Sequence, residues 1–151
     1  MSAATIAKAA LAAWEARDLD KTASLLADNF VLTGPAPEPL SKAAFLTFQK
    51  VHNDAFADWS FNARDFQEQG QVVRITIQIT ATHTGDFDVS KVGLPIPPIT
   101  ATGKSRQWPQ ETLTFTVEDD KIAALHAEIG PGGGVVGTLE WLGVKLPAQA
   151  A

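Results

Sequence analysis

Few residues in this chain are equipped for chemistry. It has no cysteine and no tyrosine, and its three histidines stand at positions 52, 83 and 126. The lack of cysteine excludes a thiolate nucleophile, a disulfide and a thiolate metal site, and the lack of tyrosine excludes a phenol donor. No His-x-His or His-x-x-x-His pair is present, so no metal site is expected. General acid–base work then falls to carboxylates, with histidine as partner. Glu111 shares strand parity with Leu113, Phe115 and Val117. If that face lines a cavity, desolvation raises the carboxyl pKa into the useful range; a glutamate at the start of a strand also fits a wet rim. His83 is in register with Ile75, Ile77, Ile79 and Ala81, beside a proline-rich segment. That is the place of a pocket mouth, or of a strand-end histidine bonded to backbone. His52 falls on the apolar face of a helix, where a histidine either meets a ligand or is buried and satisfied.

Trp14, Trp59 and Trp108 are amphipathic rings on elements expected to surround a cavity, suited to a planar or aromatic ligand and equally suited to a plain core. With His52, Ile77 and Phe115 they make up the expected substrate-binding set. The run Gly132-Gly133-Gly134-Val135-Val136-Gly137 satisfies G-x-G-x-x-G, follows a strand and opens a helix. A dinucleotide fingerprint also needs a following parallel strand and an acid about 20 residues on, whereas 14 residues of this sequence follow Gly137. No cofactor is expected. The glycines instead let the last strand reverse and a closing helix pack back.

The elements that must position these residues follow from length and periodicity. A chain of 151 residues suits one domain burying roughly two-thirds of its unfolded surface. Hydrophobic residues make up 45% and charged residues 19%, which argues against disorder, and no apolar run approaches the ~20 residues of a membrane span. The net charge is −5 and the twelve Lys and Arg are scattered, so neither nucleic acid nor membrane is an expected partner. Lys8, Glu15 and Arg17 interrupt the alanine-rich start too early for a signal peptide, and the cytoplasm is the expected location.

Helical spacing of Ile6, Ala10, Ala13 and Trp14 predicts a first helix over 5–17, and Asp18 and Asp20 introduce a short second one ending at Asp28–Asn29. A short strand follows at 30–33. Three prolines make 34–39 a loop, and Ser41 caps a third helix whose face carries Phe45, Phe48, His52 and Phe56. Alternation predicts strands at 59–64, 73–82, 113–117 and 122–129. Residues 85–104, with Pro95, Pro97 and Pro98, form a lid or rim loop, and 131–151 a closing helix and tail. This order predicts an α+β cone: three N-terminal helices packed on a curved antiparallel sheet, with a cavity where the sheet curls away.

Asp58-Trp59-Ser60-Phe61, Thr82-His83-Thr84-Gly85-x-Phe87, Pro97-Pro98 through Thr102-Gly103-Lys104, and Phe115-Thr116-Val117-Glu118-Asp119-Asp120-Lys121-Ile122 occur in that order. Over roughly residues 5–130 the chain resembles the SnoaL-like polyketide cyclases, a branch of the nuclear transport factor 2-like superfamily. The resemblance implies the cone fold. It also implies an acidic residue on the last strand, two positions after a histidine, that moves a proton from carbon to oxygen during aldol closure. His126-Ala127-Glu128 looks like that pair. From Lys121 to His126 the spacing is one residue longer than the family pattern, and a one-residue slip turns a strand side chain to the other face.

Two functions are carried forward. One is a cofactor-free cyclase, isomerase or hydrolase for a small hydrophobic carbonyl compound, with Glu111 or Glu128 as base and His83 or His126 as partner. The other is a domain that binds or presents a small molecule without turning it over. Homodimerisation is expected because Leu125 and Ile129 are read as an apolar patch on the outer sheet face, and the resemblance implies it too.

Overall fold

Three helices come first, each opened by a side-chain cap, in a computed structural model that describes residues 2–36 and 38–145. Residues 146–151 of the expected tail and Pro37 of the expected loop lie outside the described residues. In α1 (Ala3–Glu15) the Ser2 hydroxyl accepts from the Thr5 amide, and the helix buries Ile6, Ala7, Leu11 and Trp14. Asp18 caps α2 (Leu19–Leu25), and Ser41 caps α3 (Lys42–Ala55) by accepting from the Ala44 amide. The α3 face expected from spacing is buried: Phe45, Phe48 and His52, with Phe56 at the C-cap.

The strands are β1 (Leu26–Thr33), β2 (Leu40–Ser41), β3 (Arg64–Gln69), β4 (Val72–Ile77), β5 (Thr80–Thr82), β6 (Ser105–Gln107), β7 (Glu111–Glu118) and β8 (Lys121–Glu128). Six of them form one sheet in the order β2-β1-β8-β7-β4-β3, while β5 and β6 pair as a small extension. The pairing is antiparallel apart from β1, which lies parallel to β8. The helices cover the inner face, as an α+β cone requires, and α4 (Gly134–Trp141) closes the end.

Several elements differ from the sequence expectation. The second helix stops at Leu25 because the chain turns directly into β1. Residues 59–63 are not a strand. Asn62 and Asp65 have positive φ, which breaks the pleat, and Ser60 makes only an isolated bridge to Thr80. Trp59 and Phe61 still point inward, so the alternation reported burial correctly while the backbone is irregular. The long strand expected at 73–82 is interrupted at Gln78–Ile79, where pairing passes from β7 to β6. In the 85–104 segment a single 3-10 turn at Val89–Val92 and a Phe87–Ile99 bridge anchor the chain, with Phe87 and Val89 fully buried.

The outer sheet face also departs from expectation. Leu125 turns inward, opposite Phe115, and Ile129 packs against the start of α4. What the sheet presents outward is Thr76, Thr112, Thr114 and Thr116, interspersed with Arg74, His126 and Glu128. No described helix is long and apolar enough to cross a membrane.

Candidate functional site

Between the inner face of the sheet and the helices lies a cavity of about 90 Å³. Its wall takes residues from α1, α2, α3, β1, β4, β7, β8 and α4, and is almost wholly apolar. Trp14, His52, Trp59, Ile77, Trp108 and Phe115 all contribute to it. The aromatic rings meet edge-on or tilted, with Trp14 and Trp59 at 5.6 Å and Trp59 and Trp108 at 5.4 Å between centroids. The Trp108 indole N–H donates to Thr138 Oγ1 (2.9 Å), which in turn donates to the Gly134 carbonyl (2.9 Å), so one wall is tied to α4.

Glu111 lies on this wall. It begins β7 opposite Ile77, on the inward parity of Leu113, Phe115 and Val117, and is only 6% exposed. Burial pushes its carboxyl up to about 7, and the nearby Arg106 guanidinium opposes that rise. Arg106, on β6, is held off by other partners: Nη2 donates to the Gly132 carbonyl (2.8 Å), and the guanidinium lies over Trp108 and Trp141. Gly133 leaves the carboxyl its room, since a Cβ there would stand 3.3 Å from Glu111 Oε2.

The other three candidate acid–base residues are elsewhere. His83 is buried but lies outside the cavity wall. Its Nδ1 accepts from the Thr102 amide (3.2 Å) and meets Thr102 Oγ1 (3.0 Å), so it ties the end of β5 to the 85–104 segment. Burial lowers its pKa. His126 is exposed on the outer face, with Nδ1 2.7 Å from Thr33 Oγ1. Glu128 is exposed on the same face, 3.8 Å from Arg74. The cause is visible in the register: Val117 pairs Ile122 and Thr116 pairs Ala124, leaving Ala123 as an extra residue. That β-bulge accommodates the longer spacing after Lys121 and sends Leu125 and Ala127 inward, His126 and Glu128 outward.

His52 sits in an aromatic cage, its ring 4.3 Å from Phe48 and 5.2 Å from Phe87. Nδ1 donates to the Phe48 carbonyl (2.8 Å), which leaves Nε2 as an acceptor. Burial pushes its pKa down from 6.5 to about 4, against the opposing hydrogen bond to Phe48. The folded value is below the unfolded one, so the unfolded chain takes up the proton first and stability is lost as pH falls from 6.5 through 4. Between pH 7 and pH 5 this group should cost about 2 kcal/mol. Urea midpoints of the wild type and His52→Phe at both pH values measure it, the other titrating groups cancelling in the difference; identical pH dependence would refute the assignment.

Gln49 and Thr138 are cavity residues that the periodicity did not single out. The signal for Gln49 was available: it is a polar residue on the stripe of Phe45, Phe48 and His52, and it is fully buried. Its Nε2 donates to Asn53 Oδ1 (3.3 Å), and Asn53 Nδ2 donates to the Trp14 carbonyl (3.2 Å). Among the described residues no group of three or more His, Asp or Glu is placed to hold a metal ion.

The sequence model of the SnoaL-like domain matches residues 7–125. No curated protein matches the chain. AclR from Streptomyces galilaeus, proposed to be a hydroxylase, has a similar structure, with a TM-score of 0.72 and 20% identity over 97% of this chain and 85% of that one. IdmH from Streptomyces antibioticus, proposed to be a polyketide cyclase, aligns at TM-score 0.69 and 20% identity over 95% of this chain and all of that one. An LEH-like epoxide hydrolase of M. tuberculosis gives 0.66 and 14% over 91% and 90%. At such identities the likeness establishes the fold, and the three names describe three chemistries on it.

Proposed function

Because the chain belongs to the SnoaL-like domain family, in the nuclear transport factor 2-like superfamily, we propose that its cavity binds a small hydrophobic carbonyl compound and acts on it by cofactor-free general acid–base catalysis. Glu111 is the base. The observation that carries this reading is a single carboxylate in the wall of an otherwise apolar cavity, with its pKa raised to about 7.

At neutral pH such a carboxyl is present in both forms. As carboxylate it takes a proton from the carbon beside the carbonyl, and the C–H electron pair passes toward the carbonyl oxygen to give the enolate. As carboxylic acid it returns that proton to another atom of the same molecule, which completes an isomerisation or follows attack of the enolate carbon on a second carbonyl. Dry walls favour both steps, because a proton held by a desolvated carboxyl is not lost to bulk water. His83, His126 and Glu128 take no part in this scheme. Incubation of the protein with hydrophobic β-keto esters and polyketide mimics, followed by deuterium exchange at the acidic carbon, tests it: exchange above the buffer rate is expected, and none would refute it.

A second reading, a domain that holds its ligand without turning it over, is favoured by one observation: Glu111 has no histidine hydrogen-bonded to it. Binding of the same compounds without exchange would select it.

A second copy of the chain is the partner we propose for the outer sheet face. Threonines 112, 114 and 116 present β-branched, hydrogen-bonding side chains on a face that a second sheet can cover. Sedimentation at high micromolar concentration should give a dimer, and Thr114→Arg, which sets a cation in mid-face, should give a monomer; a monomeric wild type would refute the proposal.

A further inference from the structure

Three cavity-lining residues carry polar atoms that are buried and without hydrogen-bond partners among the described residues: Trp14 Nε1, Trp59 Nε1 and Gln49 Oε1. All three side chains are more than nine-tenths buried. The two indoles lie 5.6 Å apart, and Gln49 is linked to Trp14 through Asn53. That link fixes the sense of the Gln49 amide. Its nitrogen is engaged with Asn53, so its oxygen is the free end and can only accept. Leaving such groups unsatisfied costs about 1–3 kcal/mol each. Two donors and one acceptor converging from α1, α3 and the segment after α3 match one chemical group, a hydroxyl, which accepts from N–H and donates to C=O. A ketone oxygen would leave Gln49 unsatisfied, and a hydrocarbon would leave all three so.

Size narrows the class further. At roughly 10–15 Å³ for each water-sized atom, a cavity of about 90 Å³ holds about six to nine non-hydrogen atoms. That is one six-membered ring with a small substituent. The tilted rings of Trp14, Trp59 and Trp108 offer it edges and faces.

We propose that the cavity is a site for a single six-membered ring bearing a phenolic or enolic hydroxyl, whose oxygen lies among Trp14 Nε1, Trp59 Nε1 and Gln49 Oε1. This rests on the proposed function only in taking the cavity as the ligand site. It adds the ligand's ring count and the position of its oxygen, and it supplies the proposed chemistry with donors for an enolate oxygen.

Calorimetric titration of the intact protein with phenol, benzene and 2-naphthol tests both parts. Phenol should bind about tenfold or more tighter than benzene, and 2-naphthol more weakly than phenol. Trp59→Phe and Gln49→Met keep the bulk and remove one polar atom each. Each should weaken phenol about 2- to 10-fold, the worth of one hydrogen bond, and leave benzene within about twofold. Equal affinity of the wild type for phenol and benzene, or variants that weaken both ligands alike, would overturn the hydroxyl site while leaving the cavity a binding site. Tighter binding of 2-naphthol would overturn the one-ring limit. Failure of all three ligands to bind would remove the ligand site and this inference with it. If Trp59→Phe does not fold, Trp14→Phe tests the same donor pair.

Discussion

Glu111→Gln is expected to lower turnover of an enolisable carbonyl compound by ~10²–10⁴-fold, the usual contribution of a positioned acid–base group. Shape is conserved and only proton transfer is removed, so ligand affinity should hardly change. Wild-type kcat/KM should fall as pH drops below about 7, where the carboxyl becomes protonated. Stability makes a separate test. The folded-state pKa, about 7, lies above the ordinary 4.5, so the folded protein holds the proton more tightly than the unfolded chain. The favourable contribution is complete below 4.5 and is lost as pH rises through about 7. At 1.36 kcal/mol per pH unit the full effect is about 3 kcal/mol. Glu111→Gln should therefore be the more stable protein above pH 7, by up to that amount if the amide finds hydrogen bonds, with the advantage shrinking toward pH 4.5. Equal turnover by the two proteins would remove Glu111 from the mechanism, and a pH-independent difference in stability would remove the burial argument.

Gly137→Ala should destabilise the protein by about 3 kcal/mol, a sign opposite to the rule for helices. Inside a helix, glycine to alanine is ordinarily worth up to ~1 kcal/mol of added stability. Here the new Cβ would stand 2.1 Å from the Gly132 carbonyl oxygen and 2.2 Å from its carbon. Both belong to backbone, so relief requires α4 to move away from the turn at 130–133, at an overpacking cost of ~1–3 kcal/mol or more. The shift would strain the Trp108–Thr138 hydrogen bond and open the Glu111 end of the cavity. A fall in Tm of roughly 5–10 °C is expected for a chain of this size. An unchanged or raised Tm would show that the contact is easily relieved.

The same residue explains what the glycine run is for. Gly132 to Gly137 reads as a nucleotide motif, but in the fold these glycines let the chain double back tightly onto Glu111, Ile129 and Pro35. Periodicity was sufficient for the rest of the inner surface. Leu113, Phe115 and Val117 placed Glu111 because β7 is a regular strand in which parity persists over eight residues. Parity failed where regularity did. The bulge at Ala123 depends on how β8 pairs with β7, a long-range fact absent from the residues of β8 themselves, and it reversed the reading of Leu125. His83 misled for a related reason: its inward parity is real, but the strand breaks at Gln78–Ile79, so its end serves the 85–104 segment and not the cavity. Gln49 was overlooked because a lone amide among apolar neighbours has no periodic signature of its own.

The parallel pairing of β1 with β8 governs how the protein can be made. Thr33 is aligned with His126, and β8 is the central strand between β1 and β7. A nascent chain emerging at roughly 5–20 residues per second exposes β1 for about 5–20 seconds before its partner is synthesised. During that interval the inward side chains of β1, Phe30 and Leu32, have only the helices to shelter them. The cavity has no far wall until the last strand arrives, so ligand cannot assist folding early. Completion of the sheet and creation of the binding site are one late event in the life of the chain.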